Sequence, residues 1–188
     1  NGRAVVADVG GSLDKWVVKI GDENGEPDPL KGSVLQPELA DDAATAVSEG
    51  SVTLGVWSEL DNGLRSPNYI FTNGQPEQFS ARIAPQLVGM GLLEAIPEIA
   101  ILEWADPDDS DNDGISGRAA EVIDPVTGDK RLGRFGYKAG TSSVLHQVAA
   151  ALNTDMGVLT SVLPTPDCGS EQVGCQSAGA ELDDENLN

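Results

Sequence analysis

The residues of this chain that could do chemistry are concentrated in one acidic loop. Asp109, Asp111 and Asp113 stand at alternating positions, and Gly114 follows at the point where the backbone of a cation-binding loop must turn sharply. Calcium takes hard oxygen ligands at this spacing, and the backbone carbonyl of Ile115 is a plausible further ligand. Because no glutamate stands at the twelfth position of the frame, an EF-hand is not predicted. The spacing favours a calcium site, and a solvated acidic turn is the alternative.

The single histidine, His146, lies on a predicted helix, on the side opposite to that helix's apolar stripe. We therefore expect it to be exposed or to face a partner, with a redox or axial-ligand role as the alternative. A lone histidine with no second ligand at a suitable spacing cannot form a zinc site by itself. A Ser-His-Asp triad could be drawn from Ser142 or Ser143, His146 and Asp155, although no nucleophile elbow supports it.

The two cysteines, Cys168 and Cys175, are separated by six residues in a glycine-containing loop. This loop could close a local disulfide in an oxidising compartment, and two free thiols are the alternative. The spacing fits neither a redox CxxC motif nor a haem-attaching CxxCH motif. Because the acidic, lysine-poor composition also suggests export, we expect a periplasmic or secreted protein.

A dense basic and aromatic patch covers residues 130–138 (KRLGRFGYK). In a strongly acidic protein, such a patch favours contact with an anionic group, for instance a haem propionate, through Arg134 and Lys138. An ion-paired turn is the alternative interpretation.

The chain has 188 residues and a formal net charge of −20, which limits the possible partners. A strongly acidic surface repels phosphate backbones and anionic lipids, so nucleic-acid and membrane-surface binding are not expected. No apolar stretch approaches the roughly 18 residues that a membrane-spanning helix needs. The length predicts one domain, residues 1–176, followed by a solvated acidic tail, residues 177–188.

The pattern of apolar residues and turn signals predicts an α+β fold that is rich in loops. The first part, residues 1–75, is predicted to hold short strands at residues 3–9 and 16–20. It also holds a hairpin between residues 51–60 and 69–72. The second part, residues 80–165, is predicted to hold about three helices. The third of these helices has Thr141 or Ser142 as N-cap, and it ends at Gly157. Its expected buried stripe is formed by Val144, Leu145, Val148 and Leu152.

Four ordered blocks of the sequence resemble the bacterial di-haem oxidoreductases, which are related to the di-haem cytochrome c peroxidases and are also labelled thiol oxidoreductases. The blocks are RIAPQLVGMGLLEAIPE at 82–98, ADPDDSDNDGISGR at 105–118, LGRFGYKA at 132–139 and DMG at 155–157. Members of this family carry two haem-attachment motifs, and this sequence carries neither. The resemblance therefore implies that the chain corresponds to the region between the two motifs. Its first residues, Asn-Gly-Arg, are similar to those that directly follow the first motif in the family.

The resemblance also implies roles for single residues. Tyr137 stands where the family usually has tryptophan, so it is a candidate electron relay between haems. The related peroxidases bind calcium between their haem domains, and the acidic loop is the natural candidate for that ion. Glu94 lies in the LLEAIP block and is the acid to test first for catalysis.

Two functions are open at this point. In the first, the chain is the inter-haem part of a periplasmic c-type di-haem peroxidase or oxidoreductase. Its haem c would be carried by flanking segments, and its partners would be the flanking haem domains or an electron-transfer protein. The chain alone would then be inactive. In the second, it is a haem-free, calcium-stabilised interaction or scaffold module.

Overall fold

The computed structural model describes residues 16–37, 49–172, 175, 179–182 and 187. The strand predicted at residues 3–9 lies outside them. The contacts divide the chain into two compact units. The first is Asn1–Ala84 with Pro166–Gln176, and the second is Pro85–Thr165 with Ser177–Asn188.

The described residues form short strands and three helices, which confirms the α+β prediction. The strands are β1 (Val17–Gly21), β2 (Val52–Leu54), β3 (Ser58–Glu59), β4 (Arg65–Ser66), β5 (Tyr69–Phe71), β6 (Gln78–Arg82), β7 (Glu121–Ile123) and β8 (Lys130–Leu132). The helices are α1 (Met90–Glu94), α2 (Glu98–Leu102) and α3 (Val144–Met156). Each strand pairs with one other in an antiparallel two-stranded ladder: β1 with β6, β2 with β5, β3 with β4 and β7 with β8.

The first unit has its core between the β1–β6 and β2–β5 ladders. Strand β1 buries Val18 and Ile20 at alternate positions, and β2 does the same with Val52 and Leu54. The Phe79 ring of β6 meets the rings of Tyr69 and Phe71 edge to face, at centroid distances of 5.1 and 4.9 Å. The predicted hairpin is confirmed, although it is split into two ladders because Gly55–Trp57 do not pair as strand.

The second unit is built around α3, whose buried side differs from the prediction. The buried residues are Ala149 and Asn153, whereas Val148 is 39% exposed, so the predicted stripe was wrong at Val148. Asn153 is buried because its amide donates hydrogen bonds to two backbone carbonyls, those of Leu163 and Thr165, at 3.3 and 2.8 Å.

The ends of α3 are defined by two capping residues. The N-cap is Ser143, whose hydroxyl accepts the backbone N–H of His146 at 3.0 Å, so neither Thr141 nor Ser142 holds that position. The predicted stop at Gly157 is confirmed, since its φ of 66° is a left-handed conformation that favours glycine.

The acidic C-terminal segment is partly bound to the second unit. The carboxylate of Glu181 accepts the backbone N–H of Leu159 at 3.0 Å, and the N–H groups of Glu181 and Leu182 donate to the Leu159 carbonyl. These bonds hold the backbone of residues 181 and 182 beside Leu159, and the solvation of the other acidic residues of the segment stays a prediction. Within the described residues, no helix is long and apolar enough to cross a membrane.

Candidate functional site

The acidic loop between α2 and β7 folds around the side chains of its own aspartates. Both carboxylate oxygens of Asp106 lie 2.9 Å from the backbone N of Ser110, whose hydroxyl also donates to Asp106 at 3.0 Å. The N–H of Ser110 lowers the pKa of the Asp106 carboxyl, because these bonds favour its charged form. Further along, the N–H of Gly114 donates to the Asp109 carboxylate at 3.2 Å, and Asp109 itself has a positive φ of 50°.

These turns bring together three carboxylates that could hold a metal ion. Oxygen atoms of Asp106, Asp109 and Asp111 lie within 4.8 Å of one another. Of the three aspartates predicted from spacing, Asp113 is outside this group, and its carboxylate accepts the N–H of Ile115 at 2.8 Å. The sequence frame did not include Asp106, because it lies three residues before the first position of that frame.

His146 is half-buried and lies beside Ser142 at the start of α3. The Ser142 hydroxyl donates to Asp124 at 2.9 Å and lies 3.3 Å from His146 Nδ1. Burial lowers the pKa of His146, and the nearby Asp124 charge acts in the opposite direction. The structure thus joins Ser142 and His146 with Asp124 instead of the Asp155 drawn from the sequence. Because the serine stands between the other two groups, this is not the nucleophile–base–orienter order of a catalytic triad.

Glu94 and Arg134 connect α1 with the other elements of the second unit. The Glu94 carboxylate accepts the backbone N–H of Val144, the first residue of α3, at 2.7 Å. The Arg134 guanidinium donates from Nη1 to the carbonyls of Leu93, Glu94 and Ile96, at 3.3, 3.2 and 2.6 Å. Glu94 therefore caps one helix from the end of another, and Arg134 satisfies carbonyls in the last turn of α1 and just after it.

We expect Arg134→Ala to lower the free energy of unfolding by about 2 kcal/mol, because it removes charge-assisted hydrogen bonds to three carbonyls. Urea unfolding followed by circular dichroism would measure the change. Arg131→Ala is the matched control, since Arg131 is exposed on β8. An equal effect of the two substitutions would contradict this role for Arg134.

The end of the basic patch is open to solvent, whereas Phe135 within the patch is buried. Tyr137 is 60% exposed, and Lys138 is exposed beside it. At the start of the patch, Lys130 pairs with Glu121 across the β7–β8 hairpin, at a distance of 3.0 Å from Nζ to Oε2. Part of the patch is therefore an ion-paired hairpin strand, as in the alternative interpretation.

The disulfide predicted between Cys168 and Cys175 is confirmed, with the two Cα atoms 6.5 Å apart. Its loop is bound within the first unit. The Ser170 and Glu171 N–H groups donate to the carbonyls of Pro29 and Leu30, at 2.9 and 3.0 Å. A Cβ atom at Gly169 would collide with the backbone of Leu30, so this approach requires glycine.

A buried carboxylate beside this loop was not singled out from the sequence. Glu49 is 7% exposed, accepts the backbone N–H of Gln36 at 2.7 Å and accepts the side-chain amide of Gln172 at 2.9 Å. Burial raises the pKa of Glu49 to about 7, although the Gln36 hydrogen bond and the Lys31 charge both favour its ionised form. No motif marks Glu49, because its surroundings are formed by distant parts of the chain.

Comparison with known proteins places the chain in a family. The model of the family described as "Di-haem oxidoreductase, putative peroxidase" matches residues 74–173, more than half of the chain. The chain therefore belongs to the di-haem oxidoreductases, as its sequence blocks predicted. No curated protein and no solved structure matches it.

The residues of this chain do not fit a covalently attached haem. Thioether attachment needs two cysteines and a histidine in a CxxCH motif. Here both cysteines are joined to each other, and the histidine lies on α3, more than twenty residues before the first of them. The side chains described above instead stabilise the units, and the three clustered carboxylates could hold a metal ion.

Proposed function

We propose that this chain is the inter-haem region of a periplasmic c-type di-haem oxidoreductase and carries no covalent haem of its own. The family match over residues 74–173 is the observation that supports it best. The haem groups would supply the redox chemistry, and this chain would supply the structure against which they are held. The partners would be the flanking haem domains or an electron-transfer protein, and the Cys168–Cys175 disulfide supports an oxidising location such as the periplasm.

Within this role, the structure suggests different tasks for the residues proposed as catalytic or cofactor-binding. Glu94 and Arg134 position α1 and the start of α3 through the contacts given above. Tyr137 and Lys138 are open to solvent, which suits contact with a redox partner, and a phenol can relay electrons. His146 is held close to Ser142 and suits a positioning role in this unit.

Two preparations test the proposal. The full-length gene product, purified from its native cells with an antibody against this chain, should retain covalent haem after denaturation and show a c-type pyridine haemochrome. The chain alone, produced in cells that mature c-type cytochromes, should show no Soret band and no peroxidase activity. Covalent haem on the chain alone, or a haem-free full-length protein, would contradict the proposal.

A second candidate function is a haem-free, calcium-stabilised interaction module. The cluster of Asp106, Asp109 and Asp111 carboxylates favours it, since hard oxygen ligands suit Ca²⁺. The calcium part of this function is also compatible with the first proposal. The haem measurement on the full-length protein distinguishes the two candidates.

We expect Ca²⁺ to raise the free energy of unfolding by about 2.7 kcal/mol at a concentration of about 100 times its Kd, because only the folded loop gathers the ligands. Differential scanning fluorimetry with added Ca²⁺, and then with excess chelator, would measure the accompanying rise in melting temperature and its reversal. An unchanged melting temperature at saturating Ca²⁺ would refute the site.

Three variants locate the ion within the loop. Asp109→Asn should abolish the calcium effect, since Asp109 belongs both to the sequence frame and to the group that the structure brings together. Asp113→Asn should change it little, because Asp113 is outside that group and bonds to Ile115. Asp108→Asn is the control for charge alone, since Asp108 is exposed in the same loop and outside the group. If Asp113→Asn abolishes binding, the ligands are those of the sequence frame.

A further inference from the structure

The surface of α1 and α2 is apolar and uncovered in the part of the chain that the structure describes. Neither helix contains a buried residue. Residues 87–104, which we call the acidic apolar face, include Leu87, Val88, Leu92, Leu93, Ile99 and Trp104, whose exposed fractions run from 52% to 89%. Covering a large apolar side chain is favourable because it removes apolar surface from water. Soluble monomers rarely leave so many such side chains exposed in one segment, so this face is suited to a partner.

The charges around this face restrict what that partner can be. Residues 83–117 contain eight acidic residues and no lysine, arginine or histidine. A second copy that presents the same face would bring the same carboxylates against these, and anionic lipids would be repelled in the same way. Arg134 reaches the face, but three backbone carbonyls engage its guanidinium. The complementary surface is therefore apolar in its centre and rich in lysine or arginine at its rim.

We propose that the acidic apolar face docks onto the haem-bearing polypeptide of the same oxidoreductase, which offers an apolar contact surface with a basic rim. This inference rests on the proposed function. Residues 87–104 lie inside the stretch matched by the di-haem family model, 74–173. Under the proposed function, the haem is carried by a separate segment, because the cysteines and the histidine of this chain do not fit covalent haem.

Amide hydrogen exchange measured by mass spectrometry tests the docking. In the full-length gene product, peptides covering residues 87–104 should exchange at least about tenfold more slowly than in the chain alone. Peptides covering the β7–β8 hairpin serve as the internal control and should exchange equally in both. High salt should speed exchange at 87–104 in the full-length product, because the basic rim contributes through screened charges.

Matched variants show which side chains make the contact. Leu92→Ser combined with Ile99→Ser should remove the added protection, since these side chains are 79% and 64% exposed. Glu98→Lys combined with Glu103→Lys should weaken it by repelling the basic rim. Val126→Ser is the control, because Val126 is 63% exposed but lies in the turn of the β7–β8 hairpin.

Each other outcome overturns the inference in a recognisable way. Protection of residues 87–104 in the chain alone would mean that the chain itself, or a second copy, covers the face, and sedimentation would separate these two cases. Fast exchange at 87–104 in a full-length product that contains haem would overturn the docking while the proposed function stands. A full-length product without haem would overturn the proposed function, and the docking with it.

Discussion

The variant Glu49→Gln should unfold with a free energy that no longer falls as the pH rises from 4.5 to about 7. In the wild-type protein, burial raises the pKa of Glu49 from its usual 4.5 to about 7, so the folded state keeps a proton that the unfolded state has lost. The stability associated with this proton is complete below pH 4.5 and is lost as the pH rises to about 7. The free energy of unfolding that this proton contributes and that is lost between pH 4.5 and about 7 is about 3 kcal/mol.

The surroundings of Glu49 explain why the proton is kept. The side chain is 7% exposed, and Asp28 and Asp167 add negative charge that opposes ionisation. Lys31 acts in the other direction, but its ammonium donates to the backbone carbonyl of Asn73 at 2.8 Å. Glutamine reproduces the shape of the protonated acid and can still accept the Gln36 N–H, so the variant should retain the fold.

Urea unfolding at a series of pH values measures this effect as the difference between variant and wild type. The comparison of variant with wild type is needed because His146 also titrates in this pH range. Burial lowers the pKa of His146, so its contribution to stability rises with pH up to 6.5 in both proteins and partly hides that of Glu49 in the wild type. Glu171→Gln is the matched control, since Glu171 is exposed in the segment that packs beside Glu49, and it should leave the wild-type slope unchanged. Identical slopes for all three proteins would contradict the assignment.

Local patterns of sequence predicted the elements that depend on local causes. Strand β1 alternates Val18 and Ile20 toward the core, and Gly157 ends α3 because it alone takes the left-handed conformation cheaply. The buried side of α3 could not be predicted in this way. The valine at 148 indicated one side of α3 as buried. Asn153 is buried instead, because the carbonyls of Leu163 and Thr165, in the segment after the helix, satisfy its amide.

The candidate sites show the same division between local and distant causes. The acidic loop could be predicted because its ligand types recur within a few residues. In the structure, however, Asp106 and not Asp113 joins the clustered group. The disulfide was predicted because the two cysteines are separated by six residues in one glycine-containing loop and because the composition suggests export. Glu49 was not visible, since what makes it unusual is its burial against residues that lie far away in the sequence, such as Gln172. Likewise, Asp124 meets Ser142 only because the turn of the β7–β8 hairpin lies beside the start of α3.

Replacing both Cys168 and Cys175 by serine should lower the free energy of unfolding by about 2–3 kcal/mol. The disulfide closes a loop of six intervening residues, and this closure restricts the unfolded chain. It also holds a segment that bonds to the first unit at several points. The Asp167 carboxylate accepts the hydroxyl and the N–H of Ser33, at 2.6 and 3.0 Å, and the backbone of residues 170–171 bonds to Pro29 and Leu30.

Reduction of the wild-type protein provides the matched control for this variant. Reductant should lower the wild-type stability to that of the double-serine variant and should leave the variant unchanged. Denaturant unfolding with and without reductant measures both effects. Equal stability of oxidised wild type and variant would show that the loop is held by its hydrogen bonds alone.

The pH dependence caused by Glu49 and the stabilisation by the disulfide should be coupled, because the disulfide loop and Glu49 share a contact. The side-chain amide of Gln172 donates to Glu49, so a loop that is released by reduction also uncovers this carboxylate to water. The pKa of Glu49 should then move back toward 4.5, and the pH dependence of stability should become flatter in the double-serine variant. Combining Glu49→Gln with the two serines should consequently give a smaller change in pH slope than the separate effects added together. Additive slopes would mean that Glu49 stays buried when the disulfide is absent.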